Sequence, residues 1–180
     1  MESLQGKLLI AAPSLVDPNF KRTVVLIAQH TEDGAMGIVL NRPTDATVFD
    51  AVEPLCTLVG DDATVWEGGP VEPAGVIVLA EFDDPAESAE LIFGDVGFMR
   101  ADAEPNAVAL ATRRARVFAG YAGWTAGQLE LELEEEAWFT AAPLEDDVFA
   151  AAGDLWSDVL ARKGGPYGLL SKMPPDPSLN

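Results

Sequence analysis

Apolar residues fall in short, nearly unbroken runs along the chain, separated by turn residues. Leu8-Leu-Ile-Ala-Ala12 predicts a first strand, and Thr23-Val-Val-Leu-Ile-Ala28 with Met36-Gly-Ile-Val-Leu40 predicts a hairpin closed by Thr31-Glu-Asp-Gly34. Runs that do not alternate with polar residues indicate strands covered on both sides. Between them, two prolines and Asp17-Pro-Asn19 disfavour regular structure, so residues 13–20 are expected as a surface loop.

Pro43 ends the hairpin in this reading, and a helix follows. Thr47 with Asp50 gives a capping signature, Val48, Val52, Leu55 and Val59 recur at helical spacing, and Pro54 should kink or shorten the element. Further strands are expected at Ala63–Trp66, Gly75–Ala80, Glu90–Phe93, Gly97–Met99, Arg116–Tyr121 and Trp138–Ala142. Residues 82–88 read as a polar loop, and Pro105–Arg113 as an alanine-rich helix with proline near its first turn. From Tyr121 the chain is expected to turn through glycines into a helix starting at Thr125 or Ala126, capped by a Thr125/Gln128 box. The alternation of Glu130-Leu-Glu-Leu-Glu134 would also suit a strand, but the cap and the lack of β-branched residues favour helix. An amphipathic helical region after Pro143 carries Leu155, Trp156, Val159 and Leu160; Gly164-Gly-Pro166 breaks it before a frayed tail, 164–180.

These elements predict an α/β (α+β-like) chain folded as a single compact domain over 1–180. Its central sheet should be mixed and largely antiparallel, with helices packed on both faces. At 180 residues and 48% hydrophobic composition, one sizeable core is possible. No apolar run approaches the roughly 20 residues that cross a bilayer. Met1–Pro13 has an acid where a signal peptide needs bases, so the expected location is cytoplasmic, without membrane association. Cys56 is the single cysteine, which excludes an internal disulfide and a Cys/His metal pattern. It reads as a small buried hydrophobe. His30 reads as a surface or hydrogen-bonding residue, and Asp61-Asp62 and Asp83-Asp84 as solvated loop acids. No metal or cofactor is expected.

Net charge of -19 changes the functional picture. Residues 44–99 hold thirteen acids and no base, whereas 100–125 hold four arginines against two acids. Such a surface repels phosphate backbones, so direct nucleic-acid binding is disfavoured. Within the charge-balanced stretch 1–43, Arg22 and Arg42 flank the hairpin and are the best donors for a carboxylate or phosphate, with structural ion pairing as the alternative. Gly120, Gly123 and Gly127 with Tyr121 and Trp124 form the second candidate. Their spacing is neither the dinucleotide fingerprint nor the P-loop, and alone it leaves open whether the turn binds a ligand or serves close packing.

Gly6–Pro13, Asp17–Leu26, Gly37-Ile-Val-Leu-Asn-Arg-Pro43, Gly68-Gly-Pro-Val71 and Gly120-Tyr-Ala-Gly-Trp124 with Gly127-Gln-Leu-Glu130 together resemble the YqgE/AlgH family. Five blocks in register over residues 6–160 are specific. The resemblance implies a compact α/β fold in which the blocks converge on one face. It brings the label of transcriptional regulator, from genetic association with alginate control, but no reaction. The chain departs from the family pattern at Thr125-Ala126, where Gly-Pro is common, and at Ala80, where histidine is frequent. The expected function is a non-enzymatic regulatory or binding module. Its site, of Arg22, Asn41, Arg42, Gly69, Tyr121, Gly123 and Trp124, would take a small anionic ligand or an extended peptide of a protein partner. A transcriptional regulator, or an enzyme on a phosphorylated or nucleotide substrate, are the alternatives. Oligomeric state is not legible.

Overall fold

The structure, a computed structural model, describes residues 1–151 and 153–175. In chain order the first half comprises β1 (Leu8–Ala11), β2 (Val24–Thr31), β3 (Gly34–Val39), β4 (Pro43–Thr47), α1 (Val48–Val52), α2 (Cys56–Val59), β5 (Thr64–Glu67) and β6 (Val71–Phe82). The second half comprises β7 (Ser88–Phe93), β8 (Val96–Met99), α3 (Pro105–Ala111), β9 (Thr112–Thr125), α4 (Gln128–Glu134), β10 (Trp138–Ala141), α5 (Glu145–Phe149), α6 (Leu155–Lys163) and α7 (Pro166–Leu170). The strands join in the order β10-β1-β2-β3-β9-β6-β8-β7, with β4 on β5 and β5 on β9. Every pair is antiparallel except β5 and β9, so the sheet is mixed and largely antiparallel.

The unbroken apolar runs have a direct cause. Leu8 and Ile10 enter one core with Val24, Leu26 and Ile38, while Leu9 and Ala11 enter another with Val25, Ile27, Trp124 and Trp138. Each side of β1 and β2 is therefore buried, and alternation would have left a polar face with nothing to face. The first core also draws Leu79 from β6, Ile92 from β7, Val96 from β8 and Phe118 from β9. Strands that far apart in the order share one core only because the sheet curls. Its free edge comes back towards β2, where Gln29 Nε2 donates to Glu90 Oε2 at 3.2 Å. Val148 of α5 and Trp156, Val159 and Leu160 of α6 fill the same core, and Trp156 Nε1 donates to the Ala11 carbonyl at 2.8 Å. Leu129 and Leu133 of α4 pack on the second core.

Several local expectations hold. Thr47 Oγ1 accepts from the Asp50 N–H at 3.2 Å to start α1, and Pro54 interrupts the helix with a 3-10 turn at Glu53–Leu55. Others are corrected. Pro43 opens an edge strand, β4, between the hairpin and the helix, where a loop was expected. β6 begins at Val71 and runs to Phe82, because Glu72–Gly75 loop out between the Val71/Tyr121 and Val76/Ala119 pairs. β9 is 14 residues long and passes straight through Gly120 and Gly123, so the anticipated strand-to-helix turn is strand to Thr125. α4 starts at Gln128 after Gly127, which takes a left-handed φ of 76°. Only half the capping box forms, with Gln128 Oε1 accepting from the Thr125 N–H at 3.0 Å. After Gly164-Gly165 the chain forms α7 instead of fraying, while 176–180 of the expected tail lie outside the described residues. Among the described residues no helix is long and apolar enough to cross a membrane.

Candidate functional site

Three of the glycine-bearing blocks meet backbone against backbone. The Gly68 N–H donates to the Ala119 carbonyl and the Val39 N–H to the Gly68 carbonyl, each at 2.8 Å, while the Glu67 N–H donates to the Arg42 carbonyl at 2.8 Å. A Cβ on Gly68 would sit 2.2 Å from the Gly120 carbonyl oxygen, and one on Gly69, at φ 150°, 2.2 Å from the Tyr121 carbonyl. Gly120 takes φ 76°, and a Cβ on it would sit 2.3 Å from the Gly69 carbonyl oxygen. At this crossing the glycines are needed for approach, and only afterwards can the surface above them be used.

The candidate cations are engaged elsewhere. Arg22, itself at φ 59°, directs Nη2 to Asp154 Oδ2 at 3.0 Å and Ser157 Oγ at 3.3 Å, and Nη1 to the Met173 carbonyl at 2.9 Å. Its guanidinium lies 4.2 Å over the Trp156 ring. Burial raises the Asp154 carboxyl, but hydrogen bonds from Ser157 and the Arg22 charge outweigh it and hold the group below the usual carboxylate range. Arg42 donates to the carbonyls of Asn19, Pro18 and Lys21 at 2.6, 2.8 and 3.1 Å. Asn41 donates to the Arg22 carbonyl and accepts from the Val24 N–H, both at 3.0 Å. Together these three side chains fasten the 17–22 loop to the end of β3 and to α6.

Tyr121, Gly123 and Trp124 do come together, on the wall of an open cavity of about 590 Å³ shared with Thr31, Asp33 and Val71. The Trp124 indole packs into the second core, 6.1 Å from both Phe20 and Trp138, and its Nε1 donates to Glu132 Oε2 at 2.9 Å. Gly69 reaches this cavity only through Tyr121, against whose carbonyl it packs. Gln29 and Met36 line this cavity and also a second one of about 610 Å³, whose walls include Val76, Ile77, Phe98 and Met99. Sequence reading missed this second wall because those residues sit in runs that predict full burial. The signal available was Gly75 just before Val76, a residue left 46% exposed by the loop-out.

His30 is a hydrogen-bonding residue in a structural role. Its Nδ1 accepts from the Leu4 N–H at 3.0 Å, and Nε2 lies 2.8 Å from Glu130 Oε1. Backbone hydrogen bonding at the start of α4, then His30, hold the Glu130 carboxyl below its ordinary value of 4.5. Its folded pKa is thus depressed, so its ionised form contributes stability above about pH 4.5 that is lost as the pH falls through the folded value. Urea midpoints measured between about pH 7 and pH 3 should fall more steeply for the natural chain than for Glu130→Gln. Parallel pH profiles would show that this contact carries nothing. At Cys56, burial and then the charges of Asp61 and Glu53 push the thiol up, which disfavours a reactive thiolate. Among the described residues, no group of three or more His, Cys, Asp or Glu side chains could hold a metal ion.

The model of the AlgH-like family matches residues 8–168. A UPF0301 protein of Streptomyces coelicolor is 42% identical over 187 residues, spanning 100% of this chain and 97% of that one. A UPF0301 protein of Thermobifida fusca is 40% identical, spanning 99% and 96%. Among solved structures, a crystal structure from Corynebacterium diphtheriae superposes with a TM-score of 0.88 at 31% identity, covering 96% of this chain and 93% of that one. The solution structure of the AlgH protein from Pseudomonas aeruginosa gives 0.74 at 30% identity, covering 97% and 98%.

Proposed function

The chain belongs to the AlgH-like family, and we propose that it is a non-enzymatic binding module whose joined cavities beside Tyr121 and Gly123 take an extended peptide. The observation that carries this is the pair of cavities meeting at Gln29 and Met36. Together they make a trough with apolar walls and backbone-rich strand crossings, the combination that holds extended chains. Of the two ligand classes considered from sequence, the peptide fits better. Asp33 lines the first cavity, Glu90 and Arg100 line the second with Arg100 paired to Asp102, and Arg22 and Arg42 are occupied elsewhere, so a small anion would find little to hold it there. Basic residues flanking the apolar part of the peptide suit a surface of net charge -19.

The regulator label has less support. Arg113 meets Glu81, Asp83 and Asp95, Arg114 meets Glu81 and Asp146, and Arg100 meets Asp102, so three of the four arginines in the one cation-rich stretch are paired with carboxylates. Hydrogen bonds donated to Asp95, Asp83 and Glu81 push the Arg113 guanidinium further up, the sign expected for saturated pairs.

Gly123→Phe provides the test. A Cβ there would meet Tyr121 and Val71 only at 3.7 and 3.8 Å, so the larger side chain can be carried while filling the cavity. With a panel of nine-residue peptides alternating apolar and polar positions, basic-flanked members should bind, and the variant should weaken them about tenfold or more at little cost in melting temperature. If no peptide gives a saturable shift, or Gly123→Phe binds as well as the natural chain, the proposal falls. Sequence-selective DNA binding at low salt would favour the regulator instead.

A further inference from the structure

Arg116 on β9 stands apart from the other arginines. Arg22, Arg100, Arg113, Arg114 and Arg162 each pair with a carboxylate, and Arg42 is spread over three carbonyls. Among the described residues Arg116 has no carboxylate partner. Its Nη2 donates to the Phe149 and Ala150 carbonyls at 3.1 and 2.7 Å, and its guanidinium lies 3.9 Å over the Trp66 ring. In a chain with thirty acids, leaving a half-buried guanidinium without a counter-charge goes against the general pattern of pairing buried ions. Burial lowers its pKa to about 10.

Two cavities are lined by Arg116 and share Pro43 and Trp66. The smaller, about 60 Å³, is also lined by Asp147, whose carboxylate is held by Arg162 at 3.0 and 2.7 Å and by the Leu144 N–H at 2.8 Å. That acid is spent. The larger, about 330 Å³, has apolar walls at Val59, Ala63, Ala115 and Val117, with Thr64 and Trp66 as its other residues carrying a polar side-chain atom and no acid on its lining. One cation, one hydroxyl, an indole face and a hydrocarbon wall make a specific set of requirements.

We propose that this cavity binds a small monocarboxylate with an apolar tail, its carboxylate on Arg116 and Thr64 and its tail along Val59, Ala63 and Val117. At about 30 Å³ for each heavy atom, the space suits a ligand of roughly ten. A single charge matches the single guanidinium, one nitrogen of which is already committed to two carbonyls. A phosphate dianion would need more donors and would meet the repulsion of a strongly acidic protein. The assignment does not rest on the peptide trough, whose lining residues are different ones.

Hexanoate titrated into the full chain at low salt, followed by tryptophan emission and by amide shifts at residues 63–66 and 115–118, tests it. Expected is saturation in the millimolar range or tighter, with acetate about tenfold weaker and hexanamide without effect. Arg116→Met should weaken hexanoate about tenfold or more. Because that change also frees two carbonyls and could disturb the fold, Thr64→Phe serves as the second variant. It fills the cavity from β5, keeps the guanidinium, and should abolish binding with an unchanged circular dichroism spectrum. Hexanamide or phosphate binding as well as hexanoate, undiminished binding in Thr64→Phe, or no saturation by tens of millimolar would each overturn the assignment. So would tighter binding of an N-acetylated dipeptide than of hexanoate.

Discussion

Gly69→Ala should be among the most damaging single substitutions in the chain, with a loss of about 4 kcal/mol or more in urea denaturation. The methyl would lie 2.2 Å from both C and O of Tyr121 and 2.5 Å from the Ala122 nitrogen. All three are main-chain atoms of β9, which is held by β3 on one side and β6 on the other, so none can yield without breaking a ladder. For a domain of this length, each kcal/mol lowers the melting temperature by about 2–4 °C, so a fall of roughly 8–16 °C is expected. Gly127→Ala is the control. Gly127 also has a left-handed φ of 76°, but a Cβ there meets nothing within 4 Å, and its cost should stay near the roughly 1–2 kcal/mol of that conformation alone. Equal losses in the two variants would show that backbone angle, and not the crossing of strands, makes Gly69 indispensable.

The second large effect is expected at Arg162. Asp147 is 5% exposed, and its carboxylate is satisfied by both guanidinium nitrogens of Arg162 together with the Leu144 N–H. Arg162→Met strands a buried charge. Breaking a buried pair costs about 3–5 kcal/mol, and because the Arg162 side chain is itself 35% exposed, a loss of about 2–3 kcal/mol is expected. The double variant Arg162→Met/Asp147→Leu should lose less than the sum of the two single changes. Strict additivity in urea unfolding would mean that the pair contributes nothing as a unit.

What could be read from sequence was whatever local chemistry decides. Thr47 caps and Pro54 interrupts because each acts within a few residues, and the run Leu8–Ala11 has no polar position because both of its sides are covered. The Gly120–Gly127 stretch was misjudged for the opposite reason. Glycines there suggested a turn, yet Gly120 is required by Gly68 and Gly69, some fifty residues earlier, which press β9 from the connection between β5 and β6, and only Gly127 marks the turn into the helix. Arg22 and Arg42 were read as donors for a carboxylate or phosphate, with structural pairing as the alternative, and both make structural contacts. The carbonyls of Met173 and Pro18 that receive them leave no trace in composition or spacing. Arg116 was unremarked because a cation among acids predicts pairing, and the carbonyls of Phe149 and Ala150 that it meets instead lie more than thirty residues away.

The curl of the sheet also sets an order of events in synthesis. Leu8–Ala11 emerges first, but its outer edge is matched by Trp138–Ala141, and the Ala11 carbonyl waits for a tryptophan 145 residues later. A chain still on the ribosome can close the hairpin from Val24 to Val39, yet until residues 138–141 appear it carries an apolar strand with one bare side. Completion of this fold therefore waits for Trp138–Ala141 and Trp156, and a chain stalled or cut before them is left with a sticky edge at β1.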